Sequence, residues 1–114
     1  MNKDVLTRFE SLLLKTYFES ELPKTLGLPT ATYCARELNL SANYFGDLLK
    51  KETGKSALDY IQAKVIDLAK ERIFDRSKSI SEIAYEMGFK YPSHFTRLFK
   101  QHVGQSPNEY RSFN

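Results

Sequence analysis

The sequence predicts an all-α fold of about seven helices, arranged as two helix-turn-helix subdomains joined by a long linker helix. Three observations lead there. Apolar residues recur at helical spacing along almost the whole chain, and no stretch alternates with period two for long. Capping residues and glycine stops punctuate that pattern. The chain also repeats itself: at an offset of fifty residues, Phe45, Leu48, Lys50, Gly54, Ser56 and Tyr60 are matched by Phe95, Leu98, Lys100, Gly104, Ser106 and Tyr110. Six identities in sixteen positions far exceed the roughly one expected by chance.

In the first segment Val5, Leu6, Phe9, Leu12, Leu13, Tyr17 and Phe18 form one helical stripe, which Pro23 ends. The stripe either packs as a helix on the rest of the chain or serves as a linker remnant or dimerisation surface. Pro23 to Pro29, with Gly27 between the prolines, suits a linker loop. A short helix is expected from about Ala31 to Leu38, then a turn at Asn39-Leu40. Ser41 is the expected N-cap of a helix running to Thr53, and Gly54 stops it. Ser56 to about Phe74 is expected as a longer helix with Leu58, Ile61, Val65, Leu68 and Ala69 on one face.

The pattern then begins again. Ser79-Ile80-Ser81-Glu82 is a capping box before a short helix to Met87 and a turn at Gly88-Phe89. Pro92 opens another helix, ending near Val103 with Gly104 behind it. Ser106, Pro107 and Glu109 open a last short helix reaching Arg111. Upstream of the turns the offset is forty-nine, pairing Ala35, Leu38 and Leu40 with Ala84, Met87 and Phe89, so the second turn holds one extra residue. The expected organisation is an amphipathic helix and linker at 1–30, a first helix-turn-helix at 31–55, a linker helix at 56–75, and a second helix-turn-helix with a C-terminal helix at 76–114.

Composition narrows the function. The chain has 114 residues, 41% of them hydrophobic, enough for its own core and too apolar for intrinsic disorder. The longest apolar runs, such as Leu12-Leu13-Leu14, are far too short to span a bilayer. Met1-Asn2-Lys3-Asp4 leads into an amphipathic stretch without the apolar core and cleavage site of a secretory signal. The single cysteine, Cys34, has no internal partner and makes no zinc-ligand set with His94 and His102, so a reducing cytosol is expected and no metal or cofactor. Cys34 itself suits either an inert core filler or a redox sensor. No nucleophile–base constellation, carboxylate pair or phosphate-binding glycine loop points to an enzyme. The net charge of +3 is modest, but it is unevenly placed: residues 76–114 carry six cations against three acids, while the rest of the chain is balanced. The surplus belongs to the second unit, as electrostatic attraction to nucleic acid would require.

The faces of the two longer helices sharpen this. In the first, Phe45, Leu48, Leu49 and the stem of Glu52 lie on one side and positions 43, 46, 47 and 50 point away. Asn43 suits adenine, and Lys50 or Lys51 suits phosphate. Asp47 either accepts from a cytosine amino group or pairs with Lys50 or Lys51 along the helix. In the second, Phe95, Leu98 and Phe99 point inward, leaving Ser93, Thr96, Arg97 and Lys100 as an outer row without acids. His94 beside this row either touches phosphate or shields Tyr91, while His102 near the helix end makes a favourable dipole contact. A linker helix of nineteen residues would be about 28 Å long, a spacer suited to adjacent major-groove segments, which recur at roughly 34 Å.

Ile83-Ala84-Tyr85-Glu86-Met87-Gly88-Phe89, followed by Ser93, Phe95, Arg97, Phe99-Lys100, Gly104, Ser106-Pro107 and Tyr110-Arg111, resembles the signature of AraC/XylS-type transcription regulators. Leu40-Ser41, Tyr44-Phe45, Leu48, Lys50-Lys51-Glu52-Thr53-Gly54 and Ser56 are similar to the first helix-turn-helix of that family, so the resemblance covers residues 31 to 112. It implies a homeodomain-like, two-subdomain domain that binds double-stranded promoter DNA beside RNA polymerase in the cytoplasm, associated with the nucleoid, most often as an activator. By position it places base-reading residues at Asn43, Gly46 and Asp47 and at Ser93, Thr96 and Arg97. Many members carry Gln or Arg where this chain has Gly46 and Asp47, a departure that weighs against strong base readout by the first unit. Members usually also carry an N-terminal sensor or dimerisation domain. The expected DNA contacts are therefore Asn43, Tyr44, Asp47, Lys50 and Lys51 in the first unit, and Lys90, Ser93, His94, Thr96, Arg97 and Lys100 in the second. The rival function is a helical protein-interaction module for RNA polymerase or a partner regulator, which would show exposed apolar anchors where Lys90, Arg97 and Lys100 stand.

Overall fold

The computed structural model describes residues 2–114, with side chains from Asp4 onward, so the first residue of the 1–30 segment lies outside the described residues. Among the described residues there are eight α-helices and no strand. They are α1 (Asn2–Ser11), α2 (Leu22–Leu26), α3 (Ala31–Glu37), α4 (Ala42–Thr53), α5 (Ala57–Arg72), α6 (Ile80–Glu86), α7 (Pro92–Val103) and α8 (Pro107–Phe113). α1 runs on without a break into a π-helical stretch, Leu12–Tyr17, closed by the Phe18 N–H donating to the Leu13 carbonyl at 3.0 Å. The buried residues Phe9, Leu13 and Tyr17 follow one another at steps of four. The wider π turn keeps such a series in line where a tight α turn would let it drift.

Three expectations change. The segment from Pro23 to Pro29 is not all loop, because α2 forms across Leu22–Leu26 with Pro23 in its first turn. Proline lacks an N–H that the first turn would leave unpaired anyway, so it starts this helix instead of preventing it. The linker helix α5 is also shorter than expected, with 16 residues, or about 24 Å. Its last turn ends at Ile73, whose carbonyl accepts from Arg111 Nε, and Phe74 lies beyond it. Leu58 points to solvent, and the inner face is made by Ala57, Ile61, Val65, Ile66 and Ala69.

Local hydrogen bonds fix the helix starts. Thr30, Ser41, Ser56, Ser79 and Ser106 each accept the backbone N–H three residues on, and Ser79–Glu82 and Ser106–Glu109 are complete capping boxes. Each such cap contributes about 1 kcal/mol. The repeat is visible in the helix endings that open the two turns, the extra residue of the second falling after Phe89. Leu40 N–H donates to the Ala35 carbonyl at 2.9 Å, and Phe89 N–H donates to the Ala84 carbonyl at 3.0 Å. Asn39 (φ 60°) and Gly88 (φ 102°) hold the left-handed position in each. These are paired Schellman endings, in which one αL residue lets the next N–H reach back over the helix end.

One core runs through both units. Phe9, Phe18, Phe45, Phe89, Phe95 and Phe99 are buried in it together with Ile66, Ile73 and Met87. The N-terminal helix packs on α4 and sits inside that core, with Glu10 holding Lys64 of α5 at 2.6 Å. The molecule measures 41 × 28 × 20 Å.

Candidate nucleic-acid interface

α3 and α4 form the first helix-turn-helix, α6 and α7 the second, with α5 packed on α3, α4 and α7. Phe45, Leu48 and Leu49 anchor the inner side of α4, and Phe95, Leu98 and Phe99 anchor that of α7. A helix held on one face must present the other, so the outer rows are fixed by the core and not by surface chemistry.

On α4 the outer row is Asn43, Asp47 and Lys50, all exposed, with Gly46 between them and Tyr44 and Lys51 exposed at its side. Glu52 is exposed as a whole, so the inner side of α4 rests on its three apolar residues. No ion pair joins Asp47 to Lys50 or Lys51 among the described residues, so the expected pairing along the helix is absent. On α7 the row is Ser93, Thr96, Arg97 and Lys100, again all exposed, and the helix contains no acid.

His94 is half-buried, and its ring meets Phe89 edge-on at 5.2 Å, so it shields the core beside the turn and not Tyr91. Tyr91 is covered instead by Lys90, whose Nζ lies 5.6 Å from the ring centre. Tyr91 is 60% exposed and precedes Pro92 at the start of α7. It belongs with the candidate contacts, although it is absent from the row that the helix spacing predicts. The available signal was its place directly before the helix-opening proline.

The molecule sorts its cations. Arg8 donates to the Leu38 carbonyl, Arg72 to the Phe18 carbonyl, Arg76 to the Arg111 carbonyl, and Arg111 to the carbonyls of Ile73 and Asp75. Lys64 and Lys78 pair with Glu10 and Glu86. By contrast, no hydrogen bond or ion pair among the described residues engages the side chains of Lys50, Lys51, Arg97 or Lys100. These structural arginines and lysines lie on the N-terminal segment, the linker helix, the connection from α5 to α6 and the chain end. Those on the outer rows of α4 and α7 keep their full donor capacity for phosphates and base edges.

The acids near the second unit are occupied with the fold. The Glu82 and Glu109 carboxylates accept the N–H groups of Ser79 and Ser106 and are held below their ordinary pKa by those bonds. They therefore stay ionised at helix starts, and Glu109 feels the charge of Lys100 on the outer row of α7 without forming an ion pair with it. No cluster of three His, Cys, Asp or Glu side chains suited to a metal occurs among the described residues, and no described helix is long and apolar enough to cross a membrane. Burial pushes the Cys34 thiol up to about 12, which removes the thiolate that redox sensing needs.

Known proteins share this arrangement. A family model described as a helix-turn-helix domain matches residues 34–112. Over 106 residues the chain is 31% identical to the probable transcriptional regulator LumQ of Photobacterium leiognathi, covering 93% of this chain and 42% of that protein. Over 80 residues it is 32% identical to the melibiose operon regulatory protein of Escherichia coli (strain K12), covering 70% of this chain and 26% of that protein. The chain thus spans less than half the length of these relatives. Among solved structures, the C-terminal domain of AraT, a response regulator from Geobacillus stearothermophilus, superposes with a TM-score of 0.78 at 25% identity, covering 96% of this chain and 85% of that one.

Proposed function

The chain belongs to the helix-turn-helix family of AraC-type transcription regulators, and we propose from this that it binds double-stranded DNA sequence-specifically, with α4 and α7 entering adjacent major-groove segments. The sorting of cations carries this proposal: the fold engages Arg8, Lys64, Arg72, Arg76, Lys78 and Arg111 elsewhere, while Lys50, Arg97 and Lys100 of the two outer rows, like Lys15 and Lys55 away from them, have no side-chain hydrogen bond or ion pair among the described residues. The contact set is Asn43, Tyr44, Asp47, Lys50 and Lys51 on α4, with Lys90, Ser93, His94, Thr96, Arg97 and Lys100 on or beside α7. His94 contributes through its exposed edge, since its ring rests on Phe89. The organisation is two recognition units, 31–55 and 76–114, held by the linker helix and by the segment 1–30. The 41 Å long axis accommodates two helices one groove repeat of roughly 34 Å apart.

The second unit discriminates and the first positions. Arg97 has the geometry to meet guanine in bidentate fashion, and Ser93 and Thr96 are short enough for base edges or thymine methyl groups. On α4 the missing side chain of Gly46 and the negative charge of Asp47 limit base readout. In the cell the domain acts on promoter DNA in the cytoplasm next to RNA polymerase, as an activator, and a sensor domain elsewhere in the regulator would control it.

Selection of bound sequences from a random duplex pool tests the reading. Two conserved half-sites about one helical turn apart are expected, and affinity should fall linearly with log[salt]. A pool without any preferred sequence, or affinity indifferent to salt, would overturn it and favour the protein-interaction module instead.

A further inference from the structure

The segment between α1 and α3 touches both units. Arg72, at the end of the linker helix, donates to the Phe18 carbonyl at 2.9 Å and lies 3.4 Å from the Glu19 carboxylate. The Tyr17 hydroxyl donates to the Gly27 carbonyl at 2.6 Å. α2 packs on α6, and Gly27 closes against the turn of the second unit. A Cβ on Gly88 would lie 2.7 Å from the Gly27 carbonyl carbon and 3.0 Å from the Leu28 nitrogen. Gly27 itself has φ 85° and ψ −153°, a conformation essentially reserved for glycine. Backbone therefore rests on backbone, at the turn that sets the angle of α7, with no side chain between to give way.

The same segment is anchored in the first unit. Phe9 meets Phe45 of α4 edge-on at 5.2 Å, and Arg8 holds the Leu38 carbonyl at 3.3 Å, beside the first turn. One continuous stretch of chain thus reaches from the core of α4 to the turn before α7.

We propose that residues 17–28 act as a strut that fixes the orientation of the second recognition helix relative to the first, with Tyr17, Gly27 and Gly88 as its positioning residues. The linker helix packs on α7 as well as on α3 and α4, but that packing by itself leaves the second unit some freedom to tilt about the α5–α6 connection. The strut joins the same two bodies at a second place, which removes that freedom. Prepaid alignment lowers the ordering cost of engaging two groove segments at once. It also makes the chain intolerant of altered half-site spacing. The proposal rests on both recognition helices engaging DNA.

The test uses the full chain and duplexes that the unaltered protein selects from a random pool, with derivatives carrying one or two inserted base pairs between half-sites and with the second half-site alone. Tyr17→Phe removes one hydrogen bond and keeps the ring, while Gly27→Ala displaces the strut. Both should bind the selected duplex more weakly, by about fivefold for Tyr17→Phe. Both should also lose part of the penalty for inserted base pairs, while affinity for the isolated half-site stays unchanged. Should Gly27→Ala unfold, Tyr17→Phe carries the test by itself. A spacing penalty equal to that of the unaltered protein overturns the strut, as does an equal loss on the isolated half-site, which is what general destabilisation would give. A selected pool containing a single half-site overturns the two-helix reading itself, a distinct result.

Discussion

The Phe9 ring meets the Phe45 ring edge-on, with centroids 5.2 Å apart and planes at 69°, and both residues are fully buried. Phe45, like Leu49, is a fully buried residue of α4, so the N-terminal helix completes the core of the first unit. Tyr60 of α5 joins the same cluster at 5.6 Å from Phe9. Phe9→Ala should therefore cost about 3–5 kcal/mol, the range for emptying a large aromatic site in a packed core. Urea unfolding measures this, and a loss under about 1 kcal/mol would mean that α1 is dispensable to the unit.

Gly46 inside α4 and Gly54 just beyond its end should respond to alanine in opposite directions. At Gly46 a Cβ would meet nothing within 4 Å and the backbone is ordinary helix, so Gly46→Ala should stabilise by about 0.5–1 kcal/mol through helix propensity. At Gly54, φ is 77°, and alanine there should cost about 1–2 kcal/mol for the left-handed conformation. Thermal melts of the two variants should bracket that of the unaltered protein. Both shifting the same way would contradict the helix geometry.

Cys34 is fully buried, and desolvation pushes its thiol up to about 12. The thiolate is the nucleophile that attacks thiol reagents, so at neutral pH the folded chain should resist labelling and react promptly only in denaturant. Stoichiometric labelling of the native protein at neutral pH would refute the inert-filler role.

How much of this was legible beforehand depends on the range of the interaction. The capping boxes at Ser79–Glu82 and Ser106–Glu109, the glycine stops and the offset repeat are local signals, and the helices form where they point. The outer rows of α4 and α7 were legible for the same reason, since Phe45, Leu48 and Leu49, like Phe95, Leu98 and Phe99, mark the inward side by spacing alone. α2 was hidden because Pro23 and Gly27 look like breakers, whereas one opens the helix and the other closes it. The Gly27–Gly88 contact joins residues sixty-one apart and has no side chain to announce it. His94 offered two apolar neighbours in sequence, Tyr91 and Phe95, and turned to Phe89 in the preceding turn instead.

The capping boxes give stability a defined pH dependence. The carboxyls of Glu82 and Glu109 are held below their ordinary value of 4.5 by the N–H groups of Ser79 and Ser106. A group whose folded pKa is lowered contributes fully above its unfolded pKa and loses that contribution as pH falls through the folded value. α6 and α8 should therefore loosen as pH drops below about 4.5. Glu82→Gln with Glu109→Gln should flatten the melting temperature against pH in that window while leaving its slope near neutrality unchanged. An undiminished acid-side slope in the double variant would place the effect on other carboxylates.

Arg97 and Asp47 stand at corresponding places in the repeat, fifty residues apart, and carry opposite charges. Both are exposed, and neither forms an ion pair among the described residues. Substitution of either therefore changes what the surface offers DNA without opening a gap in the fold. Arg97→Ala should weaken binding to the selected duplex by about 1–3 kcal/mol and relax preference at a single base pair, as loss of a bidentate guanine contact does. Asp47→Ala should cost less, and it should raise affinity for unrelated duplex by removing a negative charge that faces the phosphates. Fluorescence anisotropy at one fixed salt concentration separates the two. Unchanged affinity in Arg97→Ala removes it from the interface, and a large base-selective loss in Asp47→Ala would make the first unit a reader of sequence, through acceptance from a cytosine amino group.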